Sequence, residues 1–356
     1  VIEEAPSPGI DDAVRARLHG GALALARHVG YLGPVTVEFM VGDADGGEPA
    51  ITFLEVNTRL QVEHPVTEAI TGLDLVELQI AVARGAVLPV VQDDVTFDGH
   101  AIEVRLVAED PAAGWVPSTG TLREFEIAGD VRVDSGFRSG GTVSSEYDSL
   151  LAKVIAHDTD RDVAAARIGR AMRSARIAGV RTNATMLAAT MAEADYLAAH
   201  TYTSYLDEHP GVADDGGPVA DDRLALLLGG VFADEQRART AAPVAGFAPT
   251  GWRNLPTRGQ RRTWELDGEE HRVEYVLRGD RAEVRLGAWP EPNPDGSLPE
   301  DVRRVASVRL LSRAPDRQVV ELDGRRHAVD VAFDGATMRT SSPAGSLEWV
   351  RPARFA

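Results

Sequence analysis

The chain has 356 residues, 44% of them hydrophobic, and a formal net charge of −18 at pH 7. That length predicts two or three domains with packed cores. The acidic balance argues against nucleic acid as a partner, and no apolar run reaches the length of a membrane span. The absence of cysteine excludes disulfides and thiolate metal sites and is compatible with a cytoplasmic protein.

The first element that the sequence predicts is a helix. Asp11 and Asp12 are suited to its N-cap and first turn, apolar residues then repeat at helical spacing, and Gly30 ends the pattern. Residues 35–40 and 50–56 alternate as two strands joined by a turn, which predicts a hairpin.

The hairpin carries two carboxylates. In a symmetric hairpin Glu38 lies opposite about Phe53, and Glu55 shares its face one pair along, with Cβ atoms roughly 7–8 Å apart. Two carboxylates at that separation can flank a cation. Because a slip of one residue would place them on opposite faces, this geometry depends on the register.

The segment that follows Glu55 is rich in chemistry. Glu55 and Asn57 offer hard oxygen donors for a divalent ion, and alternation places them on the same side of the strand. Arg59 offers a guanidinium that can bind an anion. Glu63 offers a carboxylate that is not used as a metal ligand and can act as a base. An ion, an anion and a base are therefore predicted on one short stretch.

The middle of the chain predicts helices and short strands. Helical patterns cover residues 68–86, 161–176 and 183–199, and short strands with Pro and Gly breaks run from His100 to about Val133. Within a further apolar strand lies Lys153, the only lysine among 37 basic residues, which codon usage explains and to which we assign no role.

The last third changes in pattern. A polar stretch rich in helix breakers, residues 207–218, predicts a linker. A helix is predicted over 220–239, weakened by Gly229 and Gly230. Alternating strands with Asp-Gly turns then predict a small antiparallel barrel or sandwich.

Six blocks of the sequence, in order and spacing, closely resemble biotin carboxylases, the ATP-grasp enzymes that load carbon dioxide onto biotin. The similarity covers roughly residues 1–210. The blocks are Glu-Val-Asn-Thr-Arg-Leu-Gln-Val-Glu-His-Pro-Val-Thr-Glu (55–68), Gly-His-Ala-Ile-Glu-Val-Arg (99–105), Ala-Glu-Asp-Pro (108–111), Pro-Ser-Thr-Gly (117–120), Tyr-Asp-Ser-Leu-Leu-Ala-Lys (147–153) and Gly-Val-Arg-Thr-Asn (179–183).

The resemblance implies an α+β chain with three parts. Residues 1–95 would be the C-terminal part of an ATP-grasp domain, 96–207 the biotin carboxylase C-terminal domain, and 220–356 a helix plus antiparallel β-barrel module after a linker at 208–219. This module is similar to the one that contacts the carboxyltransferase β subunit in acyl-CoA carboxylase α subunits. That similarity is less specific and uses Gly-Trp-Arg-Asn at 251–254.

The implied activity is an ATP-dependent ligase reaction of fatty acid metabolism. Bicarbonate attacks the γ-phosphate of ATP with Mg²⁺ or Mn²⁺ bound, and the resulting carboxyphosphate supplies carbon dioxide to biotin. The biotin is held by a carrier domain that this sequence does not contain, and the carboxyl group passes to an acyl-CoA on the carboxyltransferase subunit. An oligomer is implied as well.

The resemblance assigns the nucleotide and metal site to the hairpin. Glu38, Glu55 and Asn57 match the metal ligands, and Glu38 and Glu55 also match ATP-binding positions. From the residues alone, a solvated strand glutamate is the better explanation of Glu38.

The resemblance assigns the remaining chemistry to five residues. Arg59, Gln61 and the backbone at Val62 match the bicarbonate pocket, Glu63 matches the general base, and Arg105 matches the group that stabilises the enolate of biotin. The alternative for Glu63 is an ion pair with an arginine. For Arg105 it is a surface position.

Two histidines in these blocks are interpreted as structural. His64 precedes a proline that fixes the backbone, and His100 is expected to be packed or hydrogen-bonded.

The chain opens with Val and, on this resemblance, starts after the phosphate-binding half of the ATP grasp. We therefore expect a fragment, inactive alone, that lacks that half and the biotin carrier domain. The alternative hypothesis is a catalytically incomplete scaffold that docks the carboxyltransferase through residues 240–356. Other ATP-grasp ligases, such as carbamoyl-phosphate or purine-pathway enzymes, fit less well because of the Glu-His-Pro motif and the barrel-like tail.

Overall fold

A computed structural model describes residues 1–42, 48–213, 220–241, 259–287 and 303–353. Its helices are α1 (Asp12–Val29), α2 (His64–Thr71), α3 (Leu75–Ala83), α4 (Arg161–Ser174), α5 (Ala184–Thr190), α6 (Ala194–Leu197), α7 (Tyr205–Glu208), α8 (Pro210–Ala213) and α9 (Ala220–Ala241). The strands within the first 160 residues are β1 (Ile2–Ala5), β2 (Thr36–Gly42), β3 (Ala50–Asn57), β4 (His100–Val107), β5 (Glu109–Asp110), β6 (Val116–Pro117), β7 (Gly120–Thr121), β8 (Glu124–Glu126), β9 (Arg132–Ser135), β10 (Thr142–Val143) and β11 (Leu150–Asp158). Those that follow are β12 (Arg176–Ala178), β13 (Gln260–Leu266), β14 (Glu269–Arg278), β15 (Arg281–Leu286), β16 (Arg303–Arg313), β17 (Arg317–Leu322), β18 (Arg325–Asp334), β19 (Thr337–Ser342) and β20 (Gly345–Val350).

The chain divides into two compact units. The first contains Val1–Gly120, Ala128–Met172 and Arg181–Asp214, and the second contains Thr121–Ile127, Arg173–Val180 and Asp215–Ala356. The domain limits given above from the sequence remain predictions. Among the described residues, helices that combine the length and the apolar character of a membrane span are absent.

The first unit is organised by an antiparallel sheet in the order β1-β4-β11-β9. Strand β4 is almost entirely buried, because β1 and β11 flank it and α2 packs on one face through Val66 and Ile70. In its register Glu103 lies opposite Glu3 of β1, and Arg105 lies opposite Lys153 of β11. Several charged side chains therefore project from one face of a largely apolar sheet.

The helices of this unit follow the predicted pattern with two corrections. As expected, Asp11 caps α1 by accepting a hydrogen bond from the amide of Val14 at 2.8 Å, and Gly30 ends it with a φ of 62°. The helix predicted over 68–86 is wrong as a single element, because Gly72 adopts a φ of 70° and separates α2 from α3.

The second correction concerns residues 183–199. They form two helices, α5 and α6, because the Glu193 carboxylate caps α6 by accepting hydrogen bonds from the amides of Asp195 and Tyr196. Part of the predicted linker is also helical, since residues 210–213 form α8, while residues 214–219 lie outside the described part of the chain.

The hairpin of β2 and β3 has a register that differs from the symmetric prediction. Glu38 pairs directly with Glu55, whereas Phe39 pairs with Phe53, so Leu54 is an extra residue in a bulge. Glu38 is therefore not opposite Phe53. The bulge preserves the predicted outcome, because the two carboxylates still share a face, and it brings them closer than one pair apart.

The second unit contains a closed antiparallel barrel, which among the described residues has the eight strands β13 to β20 in sequential order. Two of its Asp-Gly turns follow the prediction: Asp267 and Gly268 have φ values of 51° and 83°, and Asp323 and Gly324 have φ values of 47° and 83°. The turn predicted at Asp334-Gly335 is displaced by one residue, because Asp334 still belongs to β18 and only Gly335 has a positive φ, 57°. Two positive φ values are typical of the type I′ turns that match the twist of a hairpin. Strands β19 and β20 were not predicted, and residues 251–254 lie outside the described residues.

Helix α9 fills the interior of this barrel. Its residues from Ala225 to Glu235 are all buried, and they form one core with residues from all eight strands. A helix that is buried on every side must leave room for the barrel wall. Gly229 and Gly230 provide it, since a Cβ at Gly229 would lie 2.7 Å from the Val329 side chain and one at Gly230 would lie 2.5 Å from Met338. The glycine pair that weakened the prediction is thus a packing requirement.

We expect Gly229→Ala to destabilise the barrel by about 1–3 kcal/mol, because the added methyl overlaps a stiff, buried valine. The intrinsic preference of helices for Ala over Gly, about 1 kcal/mol, acts in the opposite direction. Urea unfolding followed by tryptophan fluorescence measures the change. Gly20→Ala in α1 is the matched control, since a Cβ there meets no atom within 4 Å. Equal stability changes for both variants would contradict the packing role.

Candidate functional site

The predicted metal ligands lie together on the hairpin. The Asn57 side-chain amide donates hydrogen bonds to Oε1 of Glu38 and to Oε1 of Glu55, each at 2.9 Å. Like charges directly opposite each other in a sheet repel, so this pair needs a compensating donor or cation. Two carboxylates and an amide also form an all-oxygen donor set once the amide presents its oxygen, and such a set fits Mg²⁺. The residues are therefore chemically suited to the ion that the resemblance implies.

The next residues of the segment form a second group. Nη1 of Arg59 donates to Oε1 of Gln61 at 2.9 Å and to the carbonyl of Leu60 at 3.3 Å. Arg59 is exposed and Gln61 is half-buried, so the guanidinium is held by its neighbour while remaining accessible. A planar guanidinium with a fixed orientation is suited to binding a planar anion.

The predicted base and the predicted biotin-binding residue form an ion pair. Nη2 of Arg105, on β4, lies 3.1 Å from Oε2 of Glu63, which directly precedes α2. Nε of Arg105 lies 2.9 Å from Oε1 of Glu3 on the adjacent strand β1. The ion pair considered as the alternative role of Glu63 thus exists, and its partner is Arg105. Both side chains are about one-third exposed, which leaves them within reach of a ligand.

The backbone of Val62 is held by a residue to which the sequence analysis gave no role. Nζ of Lys153, on β11, donates a hydrogen bond to the carbonyl of Val62 at 3.0 Å and lies 3.7 Å from Oδ2 of Asp134. The signal that could have found Lys153 was present, because it ends one of the family blocks and is unique in the sequence.

Asn183 is a second residue without an assigned role that positions the site. It is fully buried. Its side-chain nitrogen donates to the backbone carbonyl of Arg105 at 3.0 Å, and its side-chain oxygen accepts from the backbone amide of Val107 at 2.9 Å. The side chain thus replaces a neighbouring strand at the end of β4. It fixes the backbone that carries the Arg105 guanidinium.

Glu103 is a buried acid beneath the site. It is completely inaccessible, and among the described residues neither of its carboxyl oxygens has a hydrogen-bond partner. Burial raises the pKa of Glu103 from 4.5 to about 8, although the positive charge of Lys153 opposes the shift. The side chain is therefore mainly neutral at pH 7.

The two histidines have the structural roles that were predicted. Nδ1 of His64 lies 2.7 Å from the carbonyl of Gln61, so it carries the proton that it donates. The ring of His100 is buried and bonds the Glu4 carboxylate at 2.8 Å. Burial alone would raise the pKa of Glu4, but hydrogen bonds from His100 and Arg161 outweigh it and hold that pKa below its usual value.

Away from this segment, Glu193, Asp195 and His209 have ligand atoms within 4.8 Å of one another. Here Nε2 of His209 lies 3.0 Å from Asp195, and a hydrogen bond to the carbonyl of Tyr205 together with that carboxylate raises the pKa of His209. The cluster is thus an ion pair between α6 and the residue before α8.

Two protein-family models match the first unit and part of the second. The model described as the biotin carboxylase C-terminal domain matches residues 103–208, and that of the ATP-binding domain of the carbamoyl-phosphate synthase L chain matches residues 1–91. The mitochondrial α subunit of methylcrotonoyl-CoA carboxylase from Arabidopsis thaliana is 39% identical over 227 residues, which cover 62% of this chain and 30% of that protein. A biotin carboxylase from Halalkalibacterium halodurans is 41% identical over 211 residues, which cover 59% of this chain and 46% of that protein.

Among solved structures, the biotin carboxylase domain dimer of 2-oxoglutarate carboxylase from Hydrogenobacter thermophilus matches with a TM-score of 0.57 and 38% identity. That structure is a complex with MgADP, ADP and bicarbonate, and the match covers 60% of this chain and 47% of that one. The chain thus spans less than half the length of these relatives.

We expect the free energy of unfolding to fall as the pH rises from 4.5 to about 8, because the folded protein keeps a proton on Glu103 that the unfolded chain releases. The contribution is at most about 1.4 kcal/mol per pH unit. Glu103→Gln removes it, so this variant gains stability relative to the parent toward pH 8. Urea unfolding at several pH values measures the slope, with exposed Glu146→Gln as the control. Identical slopes for Glu103→Gln and the parent would contradict the buried neutral acid.

We expect Asn183→Ala to cost about 2–4 kcal/mol, because it leaves the carbonyl of Arg105 and the amide of Val107 without their partner. Asn183→Asp keeps the acceptor for Val107 but replaces the donor by a buried carboxyl group that faces the Arg105 carbonyl, so it should cost at least as much. Thermal and urea unfolding measure both changes. A loss below about 0.5 kcal/mol for Asn183→Ala would show that the side chain does not hold this end of β4.

Proposed function

Residues 1–208 of this chain belong to the biotin carboxylase and carboxylase α-subunit family, and we propose that the protein carboxylates biotin with bicarbonate at the expense of ATP. The observation that carries the proposal is the contact between Glu63 and Arg105, 42 residues apart in sequence, at the end of the segment that holds the oxygen donors. A base, a guanidinium and an ion-binding set on one segment are what this reaction requires.

The hairpin would hold the metal ion. Glu38, Glu55 and Asn57 supply oxygen ligands, and Glu38 and Glu55 would face the phosphates of ATP through it. The ion, Mg²⁺ or Mn²⁺, would neutralise the charge that develops on the phosphoryl oxygens.

Bicarbonate would bind between Arg59, Gln61 and the backbone at Val62. Arg59 is already oriented by Gln61, so little rotamer entropy is lost when the anion binds. Glu63 would take the proton of bicarbonate, and the oxygen so freed would attack the γ-phosphate to form carboxyphosphate and ADP. The Glu63 carboxylate is accessible enough to receive that proton.

Arg105 would act in the second half of the reaction. Its partner Glu63 becomes neutral when it takes the proton, which weakens the ion pair at 3.1 Å and leaves the guanidinium for a new anion. The enolate oxygen of deprotonated biotin is such an anion. Glu3, on the other side of Arg105, would keep the guanidinium in place during the exchange.

The wider assignment follows from the same proposal. The protein would work in the cytoplasm as an oligomer, receive biotin on a carrier domain, and pass the carboxyl group to an acyl-CoA on a carboxyltransferase β subunit.

We propose docking of the carboxyltransferase as a second role for the barrel, which the family resemblance implies. Because α9 fills the interior together with residues from all eight strands, the described part of the barrel has little room for a ligand inside it. Binding would therefore use the outer surface. This role is compatible with the first one.

In the full-length protein, we expect Arg105→Ala to lower kcat/KM for biotin-dependent ATP cleavage by about 100-fold or more, as the loss of a charge-stabilising donor does. The assay measures bicarbonate-dependent ADP release with free biotin. Arg167→Ala, which removes an ion pair with Asp158 elsewhere in the first unit, is the control.

The same Arg105→Ala variant separates the two roles. It should still bind the carboxyltransferase while carboxylation is lost, provided that its unfolding midpoint is unchanged. Near-normal biotin carboxylation by this variant would contradict the role of Arg105. A parent protein that docks but never cleaves ATP would leave only the docking role.

A further inference from the structure

The side chain of Lys153 lies on the same face of the sheet as Arg105 and reaches the backbone of the proposed bicarbonate-binding residues. It extends from β11, is only 13% exposed, and its single direct hydrogen bond among the described residues goes to the carbonyl of Val62 at 3.0 Å. The amine thus binds an uncharged acceptor in a place where carboxylates are close by. An ammonium ordinarily prefers a carboxylate, so this choice needs a reason.

Neither of the two neighbouring carboxylates accepts a hydrogen bond from Lys153, although Asp134 lies within ion-pair distance of it. Asp134 is held by Arg132 through two hydrogen bonds of 2.9 and 2.8 Å, and its nearer oxygen remains 3.7 Å from the amine. Glu103 is completely buried, and burial raises its pKa to about 8, so it is mainly neutral at pH 7. The arrangement leaves the ammonium of Lys153 directed at Val62.

The two peptide units around Val62 are held at their carbonyls. The Val62 carbonyl accepts from Lys153, and the Gln61 carbonyl accepts from Nδ1 of His64 at 2.7 Å. In a trans peptide the N–H points opposite to the C=O of the same unit. The N–H of Glu63 is therefore directed away from Lys153, and the N–H of Val62 away from His64. These two side chains set the orientation of two consecutive amide donors.

We propose that Lys153 is a positioning residue for the anion site, which turns the peptide that follows Val62 so that the backbone of residues 62 and 63 can receive bicarbonate. This role rests on the proposed function. It differs from phosphate binding by lysine, because the amine contacts the protein backbone and acts on the anion only through it. Its positive charge also polarises the peptide that it holds, which strengthens the amide as a donor.

A purely structural role for Lys153 makes a different prediction. If the bond only satisfies a partly buried carbonyl, its loss lowers stability without changing the affinity for one substrate over another. If the bond orients the anion site, its loss raises KM for bicarbonate and leaves KM for ATP nearly unchanged.

The test compares three variants of the full-length protein. Lys153→Met keeps the length of the side chain and removes the donor and the charge, and Lys153→Arg restores both. Arg167→Met is the matched control, since Nη1 of Arg167 donates to the carbonyl of His157 on the same strand at 3.1 Å, away from residues 59–63. Two readouts are taken: KM for bicarbonate and for ATP in the cleavage assay, and hydrogen exchange of the peptide that covers residues 58–66.

We expect Lys153→Met to raise KM for bicarbonate by about tenfold or more, with KM for ATP changed less than about twofold. Exchange across residues 58–66 should accelerate by about tenfold. Lys153→Arg should recover most of both, and Arg167→Met should change neither.

The other possible outcomes contradict either the positioning role of Lys153 or the proposed function. Unchanged KM for bicarbonate with faster exchange means that Lys153 is structural only, and unchanged exchange means that it does not hold the segment; either result overturns the proposal. A parent protein without bicarbonate-dependent ATP cleavage contradicts the proposed function instead, and the exchange data then still decide whether Lys153 holds residues 58–66.

Discussion

The site depends on the balance of charge on one face of the central sheet. Glu3, Glu103, Arg105, Lys153 and Asp134 project from four neighbouring strands onto a face that α2 covers with apolar residues. A charge in such a place is stabilised by a partner or removed by a proton, because burial penalises the charged form. Arg105 is paired with Glu3 and Glu63, Asp134 with Arg132, and Glu103 is neutralised by a proton. Because each carboxylate that is paired or protonated no longer attracts the remaining cations, the positions of Arg105 and Lys153 depend on all of these charges together.

This balance explains which parts of the site the sequence could predict. The oxygen donors on the hairpin and the segment from Arg59 to Glu63 are close in sequence, so alternation and spacing predict their grouping. The contact of Glu63 with Arg105 spans 42 residues and was not predicted, since the family resemblance assigned each residue a role but did not pair them. Lys153 and Asn183 act on backbone carbonyls and amides. Such contacts leave no spacing pattern, because backbone carbonyls and amides are present at every residue, so only the family blocks that contain Lys153 and Asn183 could have indicated these roles.

The fold likewise contains features that the sequence predicts and features that it does not. Helix caps and type I′ turns were predicted because one or two residues determine them, as at Asp11, Gly30 and Asp267-Gly268. The bulge at Leu54 was not, since nothing in the hairpin sequence distinguishes an extra residue from a longer turn. Strand β19 was missed because Arg339, Thr340 and Ser341 are consecutive and buried, which conceals the alternation of a half-buried strand.

The enclosed helix α9 also imposes an order of events on the synthesis of this chain. The helix emerges before the strands that surround it, and the barrel closes only when β20 pairs with β13, at Val350 and Glu265. Contacts between the first and last strands of a domain are slow to form because a long loop must close. During that interval the apolar side chains on every face of α9 and the edge of β13 have no cover. A nascent chain paused within this region is therefore the form of the protein that most needs a chaperone.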